Sequence, residues 1–229
     1  MSAHVKLTAS DGHRLDAYLA EPKTPAGAAV VIVQEIFGVN GHIRSVADDY
    51  ASQGIAAVAP ALFDRVETGV ELAYTPSDAS RGMQIATKIG FEKALQDVSA
   101  AIDHASRMPG IKPGTKNVGV VGFCFGGTLA WLAATRLDPT AAVCYYGGQI
   151  ARFVQEQPRC PVLIHFGSKD AHIPSSEIER IRAAHPELPV FLYDAGHGFN
   201  CDQRKDYEPH SAALARARSL EFLRNALVL

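Results

Sequence analysis

The sequence predicts an α/β protein, a mostly parallel twisted sheet covered by helices on both faces and preceded by an antiparallel hairpin. Three observations predict it. Short apolar runs alternate with helical periods along the 229 residues. The interior runs are continuously apolar, as expected of strands covered on both faces. Only the first two runs alternate apolar with polar, the pattern of a strand with one wet face. Alternation of strand and helix implies right-handed crossovers between parallel neighbours.

Val5–Thr8 and Leu15–Leu19 flank Asp11-Gly12 and read as the hairpin. Ala28–Val33 is the first covered strand. A helix over Ile43–Gln53 follows, stopped by Gly54, and Ala56–Ala59 is the next strand. Residues 62–90 are the least regular part, with Thr75-Pro76-Ser77-Asp78 as a break; a long connection above a sheet edge can cover a site. Phe91, Ala94, Leu95, Val98, Ala101, Ile102 and Ala105 keep helical spacing. The run from Val118 to Gly122 is a strand that turns into a helix through Trp131, and Ala142–Tyr146 is a further strand. Pro161–Gly167 and Val190–Asp194 are two more. Ser176 with Glu179 has capping-box spacing for a helix to His185, and a last helix spans Pro209–Ala226. There are no repeats or linkers, so residues 1–229 are expected to form one domain.

Composition is that of a globular protein with a sizeable core: 47% hydrophobic and 20% charged. A net charge of −2 without a Lys/Arg block gives no reason to expect nucleic acid or an anionic membrane. The first ten residues do not read as a secretory signal, and no apolar stretch approaches spanning length, so a cytoplasmic location is expected. Cys124, Cys144, Cys160 and Cys201 are widely spaced and contain no CxxC, so no disulfide framework is expected. Cys144 and Cys160 sit in or beside apolar strands and read as inert core thiols. His197 and Cys201 lack a second clustered pair, so no metal is expected.

Gly122-Phe123-Cys124-Phe125-Gly126 is the most informative segment. It has the spacing of a nucleophile elbow, with a thiol where a hydroxyl is usual. A strained turn holds such a nucleophile out, and the flanking glycines remove side chains that would collide with the adjoining strand and helix. The sulfur then stands at a helix N-terminus, where amide N–H groups favour thiolate and oxyanion. An inert buried cysteine on an ordinary turn fits the same five residues. Two later segments separate the readings. Asp170 follows the strand ending at Gly167, and His197 follows the strand ending at Asp194. Loops at the carboxyl ends of strands carry the sites of open α/β sheets. The order nucleophile, acid, histidine is that of α/β-hydrolases.

With these motifs in place, the chain resembles the dienelactone hydrolase (carboxymethylenebutenolidase) family, a cysteine branch of the α/β-hydrolase fold. The resemblance runs over essentially the whole chain. It rests on Gln34-Glu35-Ile36-Phe37-Gly38-Val39-Asn40, the elbow, Tyr145-Tyr146-Gly147, Gly167-Ser168-Lys169-Asp170 and Ala195-Gly196-His197-Gly198-Phe199. By elbow logic Cys124 attacks an ester or lactone carbonyl and forms a thioester acyl-enzyme. His197 moves the proton, and Asp170 fixes its tautomer. The backbone N–H groups of Phe125 and Ile36 would hold the oxyanion.

The resemblance further implies that Glu35 contacts the thiol and assists its deprotonation. It implies two arginines for a substrate carboxylate, one from the mid-chain helical region and one four residues after the histidine. Here that second position is Cys201, so Arg81 and Arg204 are the candidate substrate-binding residues. A small lactone or ester is the expected partner, in the breakdown of aromatic compounds, with no cofactor and a monomeric chain. Two alternatives stay open: a non-catalytic ligand-binding member of the fold, and a redox-sensing thiol protein in which Cys201 lies near Cys124 in space.

Overall fold

A computed structural model describes residues 2–112, 114–115 and 117–228. Eight strands form one sheet: β1 (Ser2–Thr8), β2 (Arg14–Ala20), β3 (Ala29–Val33), β4 (Ala56–Pro60), β5 (Val118–Phe123), β6 (Ala141–Tyr145), β7 (Val162–Gly167) and β8 (Val190–Tyr193). Their spatial order is β1-β2-β4-β3-β5-β6-β7-β8. The β1–β2 and β2–β4 pairs are antiparallel, and every other pair is parallel. The N-terminal hairpin and the mostly parallel sheet are therefore as the sequence predicts.

The helices are α1 (Gly41–Ser52), α2 (Pro76–Ala105), α3 (Phe125–Arg136), α4 (Ser175–Ala184) and α5 (Pro209–Ala226). Strand β5 shows how they cover both faces. A Cβ on Gly122 would strike the backbone of Gly126 in α3, whereas one on Gly119 would meet Leu223 of α5. Positions 119 and 122 differ in parity, so they face opposite sides of the sheet. With both sides covered, β3, β4, β5, β6 and β7 are buried along their whole length. That burial is why these runs carry no alternation.

Two local expectations are corrected. Residues 62–90 are more regular than expected: Leu62–Arg65 is a 3₁₀ turn and α2 begins at Pro76. Thr75-Pro76-Ser77-Asp78 is not a break but a helix start. The Thr75 hydroxyl accepts from the Asp78 N–H at 3.2 Å, and Pro76 takes the first turn, where its missing N–H costs nothing. The irregularity sits at Gly90, whose φ of 69° interrupts the helix and turns the two halves apart. In α4, the helix starts one residue before Ser176, after Pro174, and no side chain caps it. Ser176 therefore lies inside the first turn, and Glu179 pairs with Arg182 instead. Among the described residues no helix is long and apolar enough to cross a membrane.

Candidate active site

Cys124 stands between β5 and α3 with φ 54° and ψ −113°, a conformation an L side chain adopts at a cost of roughly 1–3 kcal/mol. Its surroundings hold it there. The Cys124 N–H donates to the Tyr145 carbonyl at 3.0 Å, and the Thr128 N–H donates to the Cys124 carbonyl at 3.2 Å. The Gly126 N–H donates to the Gln34 carbonyl at 3.0 Å, joining α3 to the segment after β3. Any Cβ on Gly126 would lie 2.2 Å from the Val33 carbonyl oxygen, so only glycine allows that approach. The five-residue spacing thus encodes a real steric requirement.

Asp170 and His197 reach the same edge from the ends of β7 and β8. The Ser168 N–H donates to the Tyr193 carbonyl at 2.7 Å, and the Lys169 N–H to the Ala195 carbonyl at 3.0 Å. These bonds lock the acid loop to the histidine loop. Asp170 Oδ2 lies 2.7 Å from His197 Nδ1, and His197 Nε2 lies 3.1 Å from Cys124 Sγ. Asp170 Oδ1 accepts separately from the His172 N–H at 2.8 Å. Burial opposes a charge on His197, but the Cys124 sulfur and Asp170 outweigh it and raise its pKa. The arrangement favours a protonated imidazole held between the Cys124 sulfur and the Asp170 carboxylate.

A cavity of about 360 Å³ opens beside Cys124. Ile36, Phe125 and His197 border it, as do Phe37, Met83 and Phe91 on an apolar wall. Phe91 stacks on Phe125 with ring centroids 5.4 Å apart. Phe125 is the first residue of α3, so its N–H has no acceptor within the helix and is available at the cavity edge. The amino-terminal half of α2 comes down onto this edge. A Cβ on Gly82 would sit 1.8 Å from the Ile36 carbonyl oxygen, which holds the Ile36 backbone in place.

The two candidate arginines part company. Arg81 is half exposed, bonds Glu67 at 2.7 Å and is not among the residues that line the cavity. Its place one turn along the exposed side of α2 points it away from the wall that Ala79 and Met83 form. Arg204 does line the cavity, with its guanidinium over the rings of Phe37 (5.7 Å) and Tyr74 (5.8 Å). It comes three residues later in sequence than expected because the chain turns there, the Arg204 N–H donating to the Cys201 carbonyl at 3.1 Å. Gly198 makes the room: a Cβ there would lie 2.5 Å from the Arg204 guanidinium carbon. Cys201 itself is fully buried.

Glu35 also differs from expectation. It is 1% exposed, and its Oε1 accepts from Arg204 Nη1 at 3.0 Å; no hydrogen bond joins it to Cys124 among the described residues. The Glu35 carboxylate is paired with the Arg204 guanidinium, while the thiol faces His197. Cys144 is buried in β6, and its thiol is pushed up by burial. Cys160 is partly buried and pushed up to about 11, again by burial, so both are poorly placed to react.

Three residues at the site have no role assigned from sequence. His172 lines the cavity with its ring 5.0 Å from that of His197. Tyr146 packs edge-on to His197 at 5.1 Å from a backbone with φ 37°. Gly198 seats Arg204. Tyr146 and Gly198 stand in motifs quoted above, and the signal for His172 is its place two residues after Asp170 in a loop at a strand end.

Comparison with known proteins gives a consistent result. A model of the dienelactone hydrolase family matches residues 15–227. A Synechocystis sp. protein provisionally named carboxymethylenebutenolidase is 37% identical over 212 residues, 86% of this chain and 85% of its own. Carboxymethylenebutenolidase of Pseudomonas putida is 34% identical, covering 96% and 94%. A solved Klebsiella pneumoniae structure, provisionally classed as a dienelactone hydrolase, superposes with a TM-score of 0.81 at 30% identity, covering 97% and 98%.

Proposed function

Because the chain belongs to the dienelactone hydrolase family, we propose that it hydrolyses a small lactone or carboxylic ester through a Cys124–His197–Asp170 triad. The observation that carries this reading is the unbroken chain of contacts, 2.7 Å and 3.1 Å, ending on a strained cysteine at the cavity. Cys124 Sγ attacks the carbonyl carbon and the π electrons move to oxygen, where the Phe125 and Ile36 N–H groups hold the charge. Collapse breaks the bond to the leaving oxygen, which takes the proton from His197 Nε2. The acyl group remains as a thioester. Water then attacks the thioester carbonyl while His197 removes its proton, and the thiolate departs. Asp170 keeps the Nδ1 proton in place throughout.

Arg204 is the cation we assign to a substrate carboxylate. A carboxylate arriving there competes with Glu35, so binding would free Glu35 to act on the thiol, the role the family resemblance implies. With the whole of 1–229 as one catalytic unit, we read the protein as a cytoplasmic monomer that needs no cofactor.

The test is a hydrolysis screen of lactones and small esters, with and without a carboxylate substituent, together with intact-mass measurement of the stalled protein. Turnover with an acyl adduct on the peptide containing Cys124 is expected. Full turnover by Cys124→Ala would overturn the mechanism.

A further inference from the structure

Behind the cavity, away from the reacting atoms, lies a group of residues that the hydrolysis does not use. His42, at the start of α1, is 4% exposed. Its Nε2 is buried and unpartnered, and its Nδ1 stands 3.7 Å from Asp202 Oδ1, beyond hydrogen-bond range. A buried ring nitrogen left without a partner is costly and calls for an explanation. The Cys201 thiol, fully buried, is beside it. One donor atom from each of His42, Cys201 and Asp202 lies within 4.8 Å of the others.

We propose that His42, Cys201 and Asp202 form a binding site for one borderline-soft divalent cation of the zinc class. A nitrogen, a sulfur and a carboxylate oxygen suit such an ion, and water would complete the tetrahedron at the exposed Asp202 side. Tetrahedral donors at ordinary zinc distances stand roughly 3.3–3.8 Å apart, so the three must close by about 1.5 Å at most. Asp202 is two-thirds exposed and free to make that movement. As the metal–sulfur bond forms, the S–H proton leaves to solvent. The charges also balance: Glu35, Asp202 and the thiolate face the incoming cation together with one nearby cation, Arg204. Cys201 begins the turn that ends at Arg204, so an ion bound here would stiffen the arm that presents Arg204 to the cavity.

The experiment uses Cys124→Ala protein, so that neither metal on the nucleophile nor hydrolysis enters the readout, and the proposal stands apart from the hydrolase reading. Titration with Zn²⁺ by calorimetry should give one ion per chain. Substitution of Co²⁺ should give a sulfur-to-cobalt charge-transfer band. Both signals should vanish in Cys124→Ala/Cys201→Ala. Adding Asp202→Asn, an exposed change that does not threaten folding, should weaken binding by about 10-fold or more. No binding to Cys124→Ala, or binding that Cys201→Ala and Asp202→Asn both leave unchanged, overturns the site. If Cys201→Ala does not fold, Asp202→Asn with the cobalt band decides.

Discussion

Two buried histidines, one within β7 and one in the loop after β8, show opposite electrostatic fates. His165, in β7, is fully buried among neutral partners. The Ser219 hydroxyl donates to the Ala215 carbonyl at 2.9 Å, which leaves its oxygen to accept from His165 Nε2 at 3.0 Å. His165 Nδ1 then accepts from the Tyr193 hydroxyl at 2.9 Å, while Tyr193 accepts from Arg218 at 3.1 Å. Every hydrogen is placed with the ring neutral. Burial, then the Arg218 charge, pushes its pKa down to about 3. His197 is nearly as buried, but its neighbours are a sulfur and a carboxylate, and its pKa rises. Burial therefore does not decide the charge on a histidine here; the partners do. The neutral ring serves packing and the charged ring can serve chemistry.

The largest effect should come from making His197 resemble His165. Asp170→Asn keeps the shape and removes the charge, and should lower kcat by about 10⁴ through the wrong tautomer and an unstabilised imidazolium. Steady-state kinetics check it. A loss under tenfold would mean that Asp170 does not orient His197.

Recognition should be weaker in energy. A charged hydrogen bond is worth about 1.5–3 kcal/mol, so Arg204→Ala should raise KM for a carboxylated ester roughly 10- to 150-fold. KM for an uncharged ester should hardly move. Arg81→Ala should change neither, because its guanidinium is held by Glu67 outside the cavity.

The pH dependence of stability separates the two rings directly. His165 is depressed in the folded state, so the unfolded chain binds more protons below its ordinary pKa of 6.5. Its contribution is complete above pH 6.5 and is lost as pH falls from there toward 3, at up to about 1.4 kcal/mol per pH unit. His197 is raised, so its contribution is complete below 6.5 and is lost as pH rises through its folded pKa. Urea midpoints measured across pH should fall on both sides. In Cys124→Ala the alkaline loss should shrink and the acid loss should stay, since only His197 faces the sulfur. An unchanged alkaline limb would sever His197 from Cys124.

The smallest effect concerns the seat of Arg204. At Gly198, with φ 79°, an alanine is both strained and in contact with the guanidinium. Gly198→Ala should cost about 1–3 kcal/mol of stability and move KM for carboxylated esters in the same direction as Arg204→Ala. Denaturant unfolding and kinetics on one preparation measure both.

How much of this was legible from sequence depends on the range of the interaction involved. The elbow was legible because three steric demands fall within five residues: a strained cysteine, Gly122 under α3, and Gly126 against β3. The later strands were legible because burial on both faces erases polar alternation. The start of α2 was misread although its signals are local, since Thr75-Pro76 fits a loop as well as a cap. What separates the two is the apolar face of Ile85, Ala86 and Ile89, which points to the core. Arg204 was ambiguous for another reason: its number in the chain says little when the intervening residues turn.

By itself, then, the sequence determined the layered sheet, the family, and the order in which Cys124, Asp170 and His197 arrive at one edge. Those depend on periodicity and on glycines whose constraints are local. Only the tertiary structure decided that Glu35 pairs with Arg204, that Arg81 stays outside, and that His42, Cys201 and Asp202 converge. Each of these joins residues from separate loops or helices. Which charge lies nearest another depends on a few ångströms of loop path, a quantity that no spacing along the chain encodes.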